Sequence, residues 1–291
     1  LESEAKLIPG AGAPGGGPAP DAADYVQLAN PLTPERAFMR RTLMASLLET
    51  MRDNLRFVQR VAHFEVARVY WPRDGEQLPD EPRHLCITLT GPRQPGSWLQ
   101  ANNEGMDFYD LKGIVDALCA GLSLQNVSFT PVEHPTLQPG RAATLLVGGE
   151  AAGVMGEVHP DVCDAFGLGE RRVCLAEINL EKLLQTAGRP VQMTPISTYP
   201  AVYEDLALVV DEGVPAAQVQ ALIERSGGPM LVKVELFDHY RGEQIGAGKK
   251  SLAYALTYQA NNRTLDAKAA TKIRNKIVRT LDRELGATLR A

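Results

Sequence analysis

The spacing of hydrophobic positions changes several times along the chain, and each change marks an element. Leu43, Leu47, Met51 and Leu55 recur every four residues, the spacing that lines one helix face. Thr33 followed by Pro34 predicts that this helix opens there, with Thr33 as N-cap. Leu111, Val115, Leu118 and Leu122 repeat the pattern after Asp107 and predict a second helix. Elsewhere β-branched and aliphatic runs between turn residues predict strands near Val61–Trp71, His84–Thr90, Asn126–Val132, Ala142–Val147, Gly153–Val158 and Val173–Ile178. Few helical stretches separate these strands, so a largely antiparallel sheet with flanking helices is expected, an α+β domain over residues 25–194. Residues 1–24, rich in Gly, Pro and Ala, read as a flexible segment.

The pattern restarts at residues 195–291, after Pro195 and Pro200 bracket a short extended stretch. Asp205–Val210 reads as a strand, Pro215–Arg225 as a helix, Leu231–Tyr240 and Leu252–Tyr258 as two strands around a Gly-rich hairpin. Asp266–Leu285 is a long helix and Thr288–Arg290 a last short strand. The order β-α-β-β-α-β is that of the ferredoxin-like fold.

Composition narrows the class. With 44% hydrophobic and 22% charged residues among 291, the chain is globular in type. No apolar run reaches the roughly 20 residues of a membrane span, and Leu1-Glu2-Ser3-Glu4 lacks the basic and apolar regions of a secretory signal. A cytoplasmic protein is expected, and without an initiator Met the start reads as a cut edge. Cys86, Cys119, Cys163 and Cys174 form no C-x-x-C pair and are expected to be buried reduced thiols.

Charge adds a polarity. From Ser197 onward there are 13 Lys and Arg against 11 Asp and Glu, leaving 17 against 24 before it, and from Arg241 onward the count is 11 against 4. A basic end on an acidic chain points to a polyanionic partner. At about 100° per residue, Lys268, Lys272, Lys276, Arg279 and Arg283 fall within about 80° of one another on the last helix, opposite Ile273, Ile277 and Leu281. That is a candidate phosphate track. Strand alternation puts Phe237 and His239 on one side with Lys233 and Arg241, and Tyr254 with Tyr258 on one side of the next strand; whichever aromatics face solvent could stack bases.

Other chemistry finds little support. Gly246-Ala247-Gly248-Lys249-Lys250-Ser251 looks like the end of a phosphate loop, but Glu243 stands where the first glycine belongs, and a hairpin turn with exposed lysines explains it better. The five histidines are scattered and no G-x-S-x-G elbow exists, so neither a metal site nor a hydrolase triad is expected.

Several stretches together resemble the beta subunit of bacterial phenylalanyl-tRNA synthetase. Asn30-Pro31-Leu32 with Met39-Arg40, Phe64-Glu65-Val66, Asp107-Phe108-Tyr109-Asp110-Leu111-Lys112-Gly113, Pro139-Gly140-Arg141-Ala142 and Gly156-Glu157-Val158-His159-Pro160 are similar to motifs of its class II synthetase-like, non-catalytic domain. Leu236-Phe237-Asp238-His239-Tyr240-Arg241-Gly242, Gly248–Ala253 and Arg263-Thr264-Leu265 are similar to its ferredoxin-fold anticodon-binding domain. Glu204, where the family usually has Arg, and Gln138, where it usually has His, depart from the pattern.

The resemblance implies a role in phenylalanine–tRNA ligase, in a heterotetramer of two alpha and two beta subunits. The alpha subunit would activate phenylalanine with ATP and Mg; these residues would serve assembly and tRNA binding, with no catalytic residue, metal or cofactor of their own. Arg241, Lys249, Lys250, Arg263, Lys272, Lys276 and Arg279 are the expected cationic contacts to the phenylalanine tRNA, and Phe237, His239 and Tyr258 the expected stacking residues. The competing readings are a self-contained ATP-dependent ligase and a ferredoxin-like interaction or effector-binding module without an RNA role.

Overall fold

The computed structural model describes residues 1–10, 18–98, 104–188, 193 and 196–290, and the chain divides into two compact units, Leu1–Val191 and Gln192–Ala291. The predicted boundary residues 194 and 195, and most of the Gly-rich stretch at 11–17, lie outside the described residues.

The first unit is built on one antiparallel six-stranded sheet. Its strands are β1 (Val61–Arg68), β2 (Arg83–Thr90), β3 (Val127–Pro131), β4 (Leu137–Val147), β5 (Glu150–Val158) and β6 (Val173–Asn179), in the order β1-β2-β6-β5-β4-β3. The helices are α1 (Glu2–Ala5), α2 (Met44–Asn54), α3 (Phe108–Gly121), α4 (Pro160–Ala165) and α5 (Leu180–Thr186).

The inner strands are apolar on both faces because each face has its own core. Val173 and Leu175 of β6 and Cys86 of β2 join α2 and α4 in one cluster; Cys174, Ala176 and Ile178, with Leu85, Ile87 and Leu89, join α3 in the other. Asp107 caps α3 as expected, accepting from the Tyr109 and Asp110 amides while Asp110 accepts from the Asp107 amide. All four cysteines are free and buried, and burial pushes the Cys163 and Cys174 thiols up to about 11 and about 12.

Glu177 is the exception within β6. Its side chain is 8% exposed, yet it takes hydrogen bonds from the Thr42 hydroxyl and the Leu43 amide (2.8 Å), with His84 Nδ1 3.1 Å away. The carboxylate thereby ties the start of α2 to the middle of the sheet. This explains a difference from the sequence reading. The predicted helix at Pro34 is only a 3-10 turn, Pro34–Arg36, and Thr33 makes no side-chain cap. Residues 38–40 instead run extended: Phe38 bridges Gln27, and the Arg40 carbonyl accepts from the Tyr70 amide.

The second unit contains β7 (Val202–Asp211), α6 (Ala216–Gly227), β8 (Leu231–Tyr240), β9 (Lys249–Tyr258), α7 (Ala267–Leu285) and β10 (Thr288–Leu289), in the antiparallel order β10-β7-β9-β8. This is the ferredoxin-like arrangement, so the α+β class holds for the chain. Both helices cover one face: Val219, Leu222 and Ile223 of α6 and Ala270, Ile277 and Leu281 of α7 pack on Leu206, Leu208, Val210, Leu252, Tyr254, Leu256 and Tyr258. Asp266 caps α7 through the Ala269 amide, and Gly286, left-handed at φ 62°, ends it. No helix among the described residues is long and apolar enough to cross a membrane.

The Glu177 junction yields a prediction. Glu177→Ala strips the acceptor from the Leu43 amide and the Thr42 hydroxyl and should cost about 3 kcal/mol or more. Trp71 and Trp98 are the only tryptophans, and the Trp71 ring stands edge-on to His84 at 5.3 Å. Urea unfolding followed by tryptophan fluorescence therefore reports this unit, and an unchanged midpoint would show that the junction carries no stability.

Candidate nucleic-acid interface

Cross-strand pairs in an antiparallel sheet point to the same side, so the register of the second unit sorts its side chains. On the helix side lie Leu206, Tyr254 and Leu236 in one row, and Val202, Tyr258 and Leu231 in another. On the open side the rows are Tyr203, Thr257 and Lys233; Asp205, Ala255 and Glu235; Ala207, Ala253 and Asp238; and Val209, Ser251 and Tyr240. The open face thus has a floor of small residues, Ala207, Ala253 and Ala255, with Ser251 buried at the Tyr240 end. Tyr203, 76% exposed, stands toward one end. At the other, the Arg290 guanidinium lies 4.7 Å over the Tyr240 ring, and its amide donates to the Ala207 carbonyl.

Several expected site residues change place against this register. Tyr258 is fully buried, so its ring is core and unavailable for stacking. Burial first, and then the nearby Glu204 carboxylate, push its hydroxyl up to about 12. Among the described residues that hydroxyl has no hydrogen-bond partner, nor do Glu204 Oε2 and Arg274 Nε. Lys250 is a strand residue, only 9% exposed, whose Nζ donates to the Glu212 carbonyl at 2.8 Å. Lys249 and Lys250 therefore do not sit in the hairpin turn; they open β9 opposite Asp211 and Val210.

Lys233, Phe237, His239 and Arg241 do not form one continuous side either. Register shifts between Leu231 and Lys233 and between Leu236 and Asp238 break the alternation, leaving Lys233 opposite Thr257 on the open face and His239 opposite Leu252 on the helix face. Phe237, at the second shift, is 59% exposed. Arg241 is ion-paired to Glu212, with Nε 2.8 Å from Oε1. This pairing holds the Glu212 carboxyl below the usual carboxylate range, with smaller contributions from Lys250 and His239.

The stripe on α7 keeps its predicted geometry. Lys268, Lys272, Lys276, Arg279 and Arg283 are all exposed. Arg283 pairs with Glu284 at 3.0 Å, whereas Lys268, Lys272, Lys276 and Arg279 have no ion pair among the described residues. Arg263 is exposed in the turn before α7. Because α7 packs on the helix side of the sheet, its outward cations and the open face point in opposite directions, and the expected contacts divide into two surfaces. Sequence reasoning missed Tyr203, Asp238, Tyr240, Ser251 and Arg290. Continuing the Leu206-Leu208-Val210 phase back by two residues from Asp205 would have found Tyr203, but the Tyr240–Ser251 pairing depends on the bulge. No group of three or more His, Cys, Asp or Glu among the described residues is placed to hold a metal.

Residues 17–180 match the family model described as the phenylalanyl tRNA synthetase beta chain CLM domain, and residues 197–290 match the ferredoxin-fold anticodon binding domain. The chain is 39% identical over 265 residues to the phenylalanine–tRNA ligase beta subunit of Symbiobacterium thermophilum, an alignment covering 91% of this chain and 29% of that protein. It is 38% identical over 273 residues to the beta subunit of Clostridium tetani, covering 93% and 33%, and 38% identical over 272 residues to that of Lactiplantibacillus plantarum, covering 92% and 33%. The chain thus spans about a third of the length of these relatives.

Burial makes Tyr258 a control for any binding experiment. Tyr258→Ala should cost about 3–5 kcal/mol, as large-to-small core changes do. Tyr258→Phe, which removes only an unpartnered hydroxyl, should leave stability unchanged or slightly raised. Thermal unfolding by circular dichroism checks both, and a Tyr258→Phe variant as unstable as Tyr258→Ala would place an unseen partner on the hydroxyl.

Proposed function

We propose that this chain, which belongs to the phenylalanyl-tRNA synthetase beta-chain family, holds the anticodon region of a phenylalanine tRNA on the open sheet face of its second unit. The observation that supports this most directly is the floor of Ala207, Ala253 and Ala255 with exposed Tyr203 and the Arg290–Tyr240 stack at its ends. A planar base can lie on such a floor and stack against the aromatics. Asp238, exposed on the same face, offers a carboxylate beside it, as edge recognition requires. Lys249 and Arg241, near the Tyr240 end, take adjoining phosphates, with Arg241 exchanging Glu212 for the RNA. Lys272, Lys276 and Arg279, on the opposite side, meet a different stretch of backbone together with Arg263. Lys250 and Tyr258 act through the fold.

The two surfaces separate by experiment. Lys272→Ala with Lys276→Ala should flatten the salt dependence of tRNA binding by about one unit for each lysine–phosphate pair removed, with little change in anticodon preference. Tyr203→Ala should instead weaken discrimination among anticodon-loop sequences by about 1–3 kcal/mol. If neither variant alters tRNA affinity, its salt slope or its sequence preference in the assembled enzyme, the anticodon reading falls.

The first unit serves assembly. On the α3 side, β1 is an edge strand whose Ala62, Phe64 and Val66 pair with the core residues Leu89, Ile87 and Leu85 yet stay exposed. Ala62 and Phe64, with Ile114 and Leu118, line an apolar groove of about 300 Å³. An uncovered apolar groove on a sheet edge suits a protein partner, here the alpha subunit of a two-alpha, two-beta enzyme. That subunit would supply amino-acid activation with ATP and Mg. Mixed with it, the wild-type chain should co-elute in gel filtration and Phe64→Asp should not. Phenylalanine-dependent ATP–pyrophosphate exchange should follow the alpha-containing fractions, and exchange by this chain alone would overturn the division of labour.

A further inference from the structure

We propose that the cleft between the end of α2 and the turn after α4 in the first unit binds a phosphoryl group. The cleft holds about 330 Å³ and is lined by Arg52, Leu55, Arg56, Gly167, Leu168 and Arg171. Three of its lining residues are arginines and none is a carboxylate. Arg52 and Arg56 have a structural reason to be there, because α2 ends at Asn54 and the carbonyl end of a helix attracts cations. Both also lean on Asp53, Arg52 Nε at 3.0 Å and Arg56 Nη2 at 3.5 Å from the same oxygen, Oδ1. Asp53, with the Glu49 charge also acting on Arg52, lies outside the lining and answers this pair alone, leaving the third guanidinium unanswered.

Arg171 has no such reason. It comes from the turn before β6, is exposed, and makes no ion pair or side-chain hydrogen bond among the described residues. The adjoining cleft, which Arg171 also lines, provides the contrast. There the buried Glu157 takes Arg141 at 2.5 Å and Arg172 at 3.6 Å, so the fold supplies its own anion. In the α2 cleft no lining residue is a carboxylate, and Arg171 has none. Gly167, left-handed at φ +71°, turns the backbone beside Arg52, whose Cδ would be in ordinary contact with a Cβ there at 3.6 Å. The Lys6 ammonium, 5.7 Å over the Phe166 ring, adds a cation beside the neighbouring residue. All this occurs in the acidic part of the chain, 17 Lys and Arg against 24 Asp and Glu before Ser197, so a general basic bias does not explain it. Planar guanidiniums converging from two segments match the bidentate geometry of phosphate oxygens.

The phosphoryl group can belong to an RNA backbone or to a free phosphate, and one experiment separates the sources. The full chain and its Arg171→Glu variant are titrated with a phenylalanine tRNA transcript and, separately, with inorganic pyrophosphate, each across a salt series. With no partner to lose, the variant should keep the wild-type unfolding midpoint. If RNA is the source, Arg171→Glu weakens tRNA binding about tenfold and lowers the salt slope by about one. If free phosphate is the source, pyrophosphate binding falls by a similar factor while tRNA binding holds. The RNA arm rests on the tRNA reading above; the pyrophosphate arm does not. The proposal is overturned if neither ligand responds, and when Lys272→Ala with Lys276→Ala still weakens tRNA binding, the anticodon reading survives that failure.

Discussion

A carboxylate held in the middle of an apolar strand must find donors or pay the full cost of desolvation, and the donors that Glu177 finds organise the first unit. Its neighbours in β6 alternate between two cores, so Glu177 necessarily points into the one beneath α2. There the Thr42 hydroxyl and the Leu43 amide meet it, with His84 alongside. These residues immediately precede α2, so the helix must begin where they are held. The chain before it is drawn out straight and pairs with Gln27 and Tyr70. The edge strand β1 and its exposed apolar groove are consequences of the same sheet, which has more apolar face than its helices cover.

Much of this architecture was legible in residue spacing. The four-residue repeat of Leu43, Leu47 and Met51 located α2, Asp107 marked the start of α3, and the alternation of elements after Pro200 specified the ferredoxin-like topology. What spacing could not convey was position set by distant partners. Pro34 and Thr33 are a sound local signal for a helix start, but the backbone that follows is committed, Phe38 and Arg40 to pairing and Leu43 to Glu177. The same limit applied to the binding surface. The alternation of β8 is broken twice by inserted residues, and no local pattern marks which residue is extra. Lys250 looked exposed because lysine usually is; its long side chain instead reaches along the end of the sheet to the Glu212 carbonyl.

Dividing the cations and the aromatics of the second unit between opposite sides changes what its basic charge can do. Under the proposed reading, the open face would serve shape and base identity at short range. The α7 stripe, lacking ion-pair partners along most of its length among the described residues, would act at longer range through its field, which steers and orients a polyanion before contact. Arg241 falls between these roles, since its ion pair with Glu212 must loosen before a phosphate can replace it.

The rigid phase of α7 also governs how this surface can diverge among relatives. Ile277 and Leu281 are locked into the core on the side opposite the cations, and each residue turns the helix by about 100°. Exchanging Lys for Arg, or moving a cation by a full turn, keeps the stripe facing outward. Inserting or deleting one residue between Lys268 and Ile277 would swing every cation ahead of it toward the flank, however well the charges themselves were conserved. The geometry of this helix therefore tolerates a change of composition better than a change of length.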